Sequence, residues 1–231
     1  MHRDFKSVVL AFLVGLAASS FAQSGLSSEV AELLTRAKAG DMSAQFHLAN
    51  AYDSGRGAPR DGKEAMRWYA AAAEQGDAEA QNSVGSGLQA EKRYSEALVW
   101  YEKASLQNHA LATNNLAYLH DLGLGVAQDR QKAFHLYSQA ANLGWAEAMW
   151  NLSNMYGAGQ LGQSPDLLSA CTWVFRAQRF AAANDTRLQT EIRRIVPFLE
   201  RKLSLEQMAS CRAQAAAWHP RQVSDASVSP R

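Results

Sequence analysis

Four stretches decide the fold: Lys63-Glu64-Ala65-Met66-Arg67-Trp68-Tyr69, Ser95-Glu96-Ala97-Leu98-Val99-Trp100-Tyr101, Gln131-Lys132-Ala133-Phe134-His135-Leu136-Tyr137 and Leu168-Ser169-Ala170-Cys171-Thr172-Trp173-Val174. Aligned on their alanines, they lie 32, 36 and 37 residues apart. A period in the thirties marks a solenoid of stacked units, each of which needs its neighbours to bury its apolar face. Arrays of this kind usually bind other proteins, so the period speaks to a class of function and leaves the partner open.

Each unit parses into two helices, because apolar and small residues recur every three or four positions and Gly-rich turns separate most of the runs. In the first unit Asp41 opens a helix that carries Ala44, Leu48, Ala49 and Tyr52 on one face and ends at Gly55-Arg56-Gly57. Asp61 opens the second helix, with Glu64 three residues on, the spacing of a capping box in which each side chain satisfies the other's free backbone N–H. That helix carries Ala65, Trp68, Tyr69 and Ala72 and stops at Gly76. The first-helix positions recur as Ala80, Val84 and Gly85, as Ala112, Leu116 and Ala117, and as Ala148, Leu152 and Ser153. Small residues stand where helices approach closely, and Trp68, Trp100 and Trp173 read as packing residues.

The pattern small-x₃-Leu-small-x₂-Tyr, then Gly-x-Gly, then Lys-x-Ala-x₂-Trp-Tyr-x₂-Ala resembles the Sel-1-like repeat (SLR), a relative of the tetratricopeptide repeat. The resemblance covers Gly40 to about Arg179, with a half-unit before it at Val30 to Ala39. Units one and three carry the glycine turn of the family, Gly55-Arg56-Gly57 and Gly123-Leu124-Gly125-Val126. Unit two replaces it with Glu91-Lys92-Arg93, and unit four has the longer Gly157-Ala158-Gly159-Gln160-Leu161-Gly162. The resemblance implies an all-α, right-handed α/α superhelical solenoid of about four repeats over residues 27–183, with helical caps. Residues 184–219 would form the C-terminal cap, since Asn184-Asp185 opens a helix toward Lys202 and Ser204-Leu205-Glu206-Gln207 is a capping box that opens a last helix to about Trp218. Pro197 removes a backbone bond and should kink or end the first of these. Residues 220–231 read as a disordered tail.

The N-terminus has its own logic. His2, Arg3 and Lys6 precede an uncharged run from Val8 to Ala18, and the small-residue site Ser20-Phe21-Ala22 precedes Gln23. This is the form of a secretory signal peptide over residues 1–22, with an apolar run well short of the roughly 20 residues needed to span a bilayer. Gln23 in place of Cys argues against lipid attachment, so the mature protein is expected to have no membrane anchor and to be periplasmic or secreted. Removing the signal takes out Arg3, Lys6 and Asp4 and leaves 21 basic and 21 acidic residues. A neutral chain without a basic stripe is a poor match for nucleic acid. Asn151-Leu152-Ser153 and Asn184-Asp185-Thr186 match glycosylation acceptors and leave a eukaryotic secretory route open. The first falls inside an expected packed helix, so the bacterial reading is preferred.

Export also frames the two cysteines. Cys171 falls on the second helix of unit four and Cys211 on the last helix, and helices that stack as neighbours bring Cα atoms within bridging distance. A Cys171–Cys211 disulfide is expected, two buried free thiols being the alternative. No catalytic motif accompanies them. The run Gly57-Ala58-Pro59-Arg60-Asp61-Gly62-Lys63 has the spacing of a phosphate loop, but Glu64 follows where Ser or Thr must bind the metal and no strand precedes it. The six histidines show no ligand spacing, there is no Gly-x-Ser-x-Gly elbow, and neither metal nor cofactor is implied. His120 stands where units one and four have Tyr52 and Tyr156, and should pack as they do.

In tetratricopeptide-like arrays the first helix of each unit lines a concave groove. The positions two before and two after the aligned leucine are Phe46, Asn82, Asn114 and Trp150, then Asn50, Ser86, Tyr118 and Asn154. Amides both donate to and accept from a peptide backbone, and Phe46, Tyr118 and Trp150 can seat apolar side chains. The expectation is a non-catalytic adaptor that holds a peptide segment or envelope protein in this groove. The alternative is an envelope enzyme or cell-wall (peptidoglycan) binding protein of lactamase-like type.

Overall fold

The computed structural model describes residues 25–160, 162 and 164–220. The expected signal segment, and the tail beyond Pro220, lie outside the described residues. Within them the regular structure is eleven α-helices and no strand, as an all-α solenoid requires. The chain divides into two compact units, the first ending at Val84 and the second beginning at Gly85.

The first unit contains α1 (Ser28–Lys38), α2 (Met42–Ser54), α3 (Gly62–Glu74) and the start of α4 (Ala78–Ala90). One oxygen of Asp41 accepts the Ala44 N–H at 3.0 Å, and the other takes the Arg36 guanidinium at 2.7 Å. Those two bonds hold the Asp41 carboxyl below the usual carboxylate range. Ala44, Leu48 and Ala49 of α2 meet Ala65, Trp68, Tyr69 and Ala72 of α3, all buried. Each large aliphatic side chain so placed contributes about 1.5–3 kcal/mol from burial. At the start of α3, Asp61 accepts from the N–H groups of Lys63 and Glu64. The expected capping box is only half made, because the Asp61 N–H already donates to the Tyr52 carbonyl at 2.9 Å. Glu64 therefore turns to Arg67.

That backbone bond is a device of the repeat. Asp129 N–H donates to His120 O and Asp166 N–H to Tyr156 O, each at 2.9 Å, and both aspartates also cap the helix they open. Between units a second device recurs. Gly40, Gly76, Asn108 and Gly144 are left-handed, with φ of 93, 103, 61 and 91°. They allow Asp41, Asp77, His109 and Trp145 to donate to the carbonyl five residues back. This is the Schellman closure, and it needs a residue that tolerates positive φ.

The second unit continues with α5 (Tyr94–Leu106), α6 (Ala110–Leu122), α7 (Arg130–Asn142), α8 (Ala146–Ala158), α9 (Leu167–Phe180), α10 (Thr186–Lys202) and α11 (Leu205–Ala217). Gly85 leaves room for the Tyr101 ring, which would lie 2.6 Å from a Cβ placed there. The short turn before α5 puts Lys92 at φ 62°, a conformation costing a side-chain-bearing residue roughly 1–2 kcal/mol. Arg93 makes no side-chain cap there and pairs with Glu91 and Glu96 instead.

Around α9 the core gathers Cys171, Val174 and Ala177 with Leu188, Ile192, Leu199 and Met208. Cys171 and Cys211 form a disulfide with Cα atoms 5.9 Å apart, tying α9 to α11. Arg187 of α10 pairs with Glu147 of α8. Arg179 donates to the carbonyls of Ala215, Ala216 and Trp218, which closes the C-terminal end of α11. Ser204 and Gln207 make the full capping box at its start. Pro197 does not end α10, which runs through to Lys202. The bond it removes would have gone to the Arg193 carbonyl, and Arg193 and Pro197 are both exposed, so water can serve that acceptor. Buried Ile192 and Leu199 hold the helix on either side, against a proline cost of about 3 kcal/mol.

Candidate functional site

The eight first-helix positions are not alike. In the first unit Asn50 accepts the Tyr69 hydroxyl at 2.7 Å, and burial pushes the Tyr69 phenol up to about 12. Phe46 is half-buried with its ring 5.9 Å from that of Tyr69. Asn82 is buried and engaged within the fold. Asn50 and Phe46 thus serve the pairing of α2 with α3 as much as any surface.

In the second unit Asn114 is 5% exposed and its carbonyl accepts the Asn151 amide at 3.1 Å, which joins α6 to α8. Asn151 is therefore a structural amide inside a helix. Ser86 is exposed and lies 3.3 Å from the Tyr101 hydroxyl, whose shorter bond goes to Gln89. Tyr118 is 40% exposed, Trp150 half-buried and Asn154 exposed. Tyr118 lies one helical turn beyond Asn114 on α6, and Asn154 one turn beyond Trp150 on α8. Because Asn114 touches α8, the faces that carry Tyr118 and the Trp150–Asn154 pair adjoin. The result is a surface with a phenol, an indole edge and a free amide, suited to gripping an extended chain through backbone bonds and apolar side chains.

The tryptophans also divide. Trp68 is buried, whereas Trp100 and Trp173 are half-buried and carry cations on their faces, Lys103 at 4.0 Å and Arg176 at 4.4 Å.

Sequence reasoning missed the partners of Asn50 and Asn114. It also missed Gln45 and Gln81, whose amides each donate at 3.1 Å to a carbonyl of the preceding helix, Ala37 and Ala73. Their equivalent places, each one residue after a buried alanine, were the available signal. A cavity of about 880 Å³ in the first unit lies against α1, α2 and the Gly57 turn. It offers Glu29, Asp53, Arg56 and His47 over an apolar base of Val30 and Leu33. Among the described residues no three His, Cys, Asp or Glu side chains are placed to hold a metal, and no helix is long and apolar enough to cross a membrane.

The Sel1 repeat model matches residues 43–77, 78–109, 110–145 and 146–177, more than half of the chain. A search of curated proteins returns no match. Among solved structures, the chain is similar to a protective antigen present in uropathogenic Escherichia coli strains that displays an SLR fold. The TM-score is 0.71 at 29% identity, over 80% of this chain but only 39% of the antigen. It is also similar to a Sel1 repeat protein from Oxalobacter formigenes, with TM-score 0.64, 28% identity, and coverage of 81% of this chain and 77% of the other.

Proposed function

The chain belongs to the Sel1 repeat family, whose members generally mediate protein–protein interaction and are typically non-catalytic, and from that premise we propose that it is an adaptor holding a peptide segment of a partner protein. The observation that carries this reading is the face shared by α6 and α8. Tyr118 is left 40% exposed beside half-buried Trp150 and exposed Asn154, at register positions where other units spend their side chains on internal bonds. Aromatic groups of this kind supply most of the energy at protein interfaces.

The adaptor works outside the cytoplasm, in the periplasm or beyond the cell. The buried Cys171–Cys211 disulfide supports that placement, since such bonds persist where thiols are not kept reduced. The bacterial sources of the two solved relatives support a bacterial setting.

The test is capture from a periplasmic extract on the immobilised protein, beside a Tyr118→Ala, Asn154→Ala variant whose helicity is checked by circular dichroism. A protein held by the parent and lost by the folded variant supports the reading. Equal capture by both would move the interface off this face, and capture by neither would remove the adaptor role in this compartment.

A further inference from the structure

A cleft of about 450 Å³ opens between α9, α10 and α11, apart from the α6–α8 face. Phe175, Val196 and Pro197 form its apolar wall, and Arg193 and Arg212 stand at its edge. The Arg212 guanidinium lies 5.1 Å over the Phe175 ring and reaches Glu200 at 3.2 Å. Arg193 bonds only the Thr190 hydroxyl, at 3.3 Å, and meets no carboxylate among the described residues. The other nearby acid, Glu191, is taken by Arg194. Two guanidiniums therefore line the cleft, and of the two only Arg212 is paired with a carboxylate among the described residues.

Pro197 adds the third feature. It has no N–H to give, so the Arg193 carbonyl loses its ordinary donor within the same cleft. An apolar wall, a surplus guanidinium and a backbone acceptor lie together where α10, held by buried Ile192 and Leu199, meets α9 and α11, which the disulfide and the Arg179 cap join to each other. The chemistry complementary to all three is an extended segment with an apolar side chain, an adjacent carboxylate and a backbone N–H. Arginine takes a carboxylate through two parallel bonds, and the volume suits one or two side chains.

We propose that the α9–α11 cleft is a docking site for an acidic peptide segment of a partner protein, anchored by one apolar residue, with its carboxylate on Arg193 and a backbone N–H on the Arg193 carbonyl. Nucleic acid and other polyanions would match the charge but not the wall.

The probe is a fluorescein-labelled pentapeptide of alternating glutamate and leucine, titrated with the purified protein and read by fluorescence anisotropy. Saturable binding is expected, weakened about tenfold or more by Arg193→Glu, as befits a lost charge-assisted pair. Pro197→Ala, which returns the helix donor to the Arg193 carbonyl without endangering the fold, should weaken it severalfold. Arg201→Glu, on the same helix but outside the cleft, should leave it unchanged. Equal binding of an all-glutamate peptide, equal loss on Arg201→Glu, or no saturable binding would each overturn the proposal.

Discussion

Reducing the Cys171–Cys211 bond is expected to cost the second unit about 4 kcal/mol. The two cysteines are 40 residues apart in sequence, and the chain-entropy relation for a loop of that length gives about 4 kcal/mol at 25 °C. Both cysteines are fully buried, so the freed thiols stay packed as small apolar groups and open no cavity. The folded state also keeps the Arg179 bonds to the end of α11 and the Trp218 ring against Trp173 and Phe180. The loss therefore arises mainly in the unfolded chain, which regains the freedom the bridge removed. The assay is urea unfolding of oxidised protein against protein refolded in reductant, followed by circular dichroism and tryptophan fluorescence. A repeat array can unfold in steps, so the comparison is made on the transition that shifts. With a slope of about 2 kcal/mol/M, the midpoint should fall by about 2 M urea. A shift below about 0.5 M would refute the reasoning, because the unfolded chain would then gain almost nothing from release.

Pro197→Ala should raise stability by about 1–3 kcal/mol, seen as a higher thermal midpoint, because it restores an exposed helix bond; a drop would mean that the proline relieves a clash. His120 is buried, neither ring nitrogen has a hydrogen-bond partner among the described residues, and burial with nearby Lys132 pushes its pKa below 6.5 against the opposing pull of Asp129 and Glu102. As pH falls through 6.5 the unfolded chain takes up this proton before the folded one does. Stability present above that pH is therefore lost below it, with a slope of at most about 1.4 kcal/mol per pH unit. His120→Tyr should flatten the pH 7.5 to 5.5 part of the profile, and an unchanged slope would assign it to other groups. Tyr69→Phe should cost about 1 kcal/mol in urea unfolding through the lost bond to Asn50, and a neutral result would return Asn50 to the surface. Gly125→Ala should be destabilising by more than about 2 kcal/mol, since its Cβ would lie 2.5 Å from the Ser95 nitrogen at a φ of 71°.

What the chain discloses about itself depends on range. The core triplets such as Ala44, Leu48 and Ala49 were legible because a helical face repeats every three or four residues, and all three are buried. The caps at Asp41 and Ser204 were legible because each bond reaches only three residues ahead. Asn50 and Tyr69 are 19 residues apart, and Asn114 and Asn151 are 37 apart. Periodicity placed those amides on a face but could not say that the face was occupied by a neighbouring helix. The same blindness applied at Pro197, where a local rule foresaw a kink or an end and could not choose, whereas the helix runs on with Ile192 and Leu199 buried on either side. Of the proposed binding surface, Tyr118 and Asn154 were visible as register positions. The α9–α11 cleft was not, since it depends on how three successive helices pack and not on the repeat register.

The adaptor reading is tested most directly by placing a photo-crosslinking residue at position 118 and, in a separate variant, at position 99. Val99 is 49% exposed on α5, a second helix of its unit, whereas Tyr118 is 40% exposed on α6, a first helix. After irradiation in periplasmic extract, position 118 should give one discrete adduct that position 99 does not. An adduct from 99 alone, or none from 118, would contradict the assignment of the α6–α8 face as the site of partner binding.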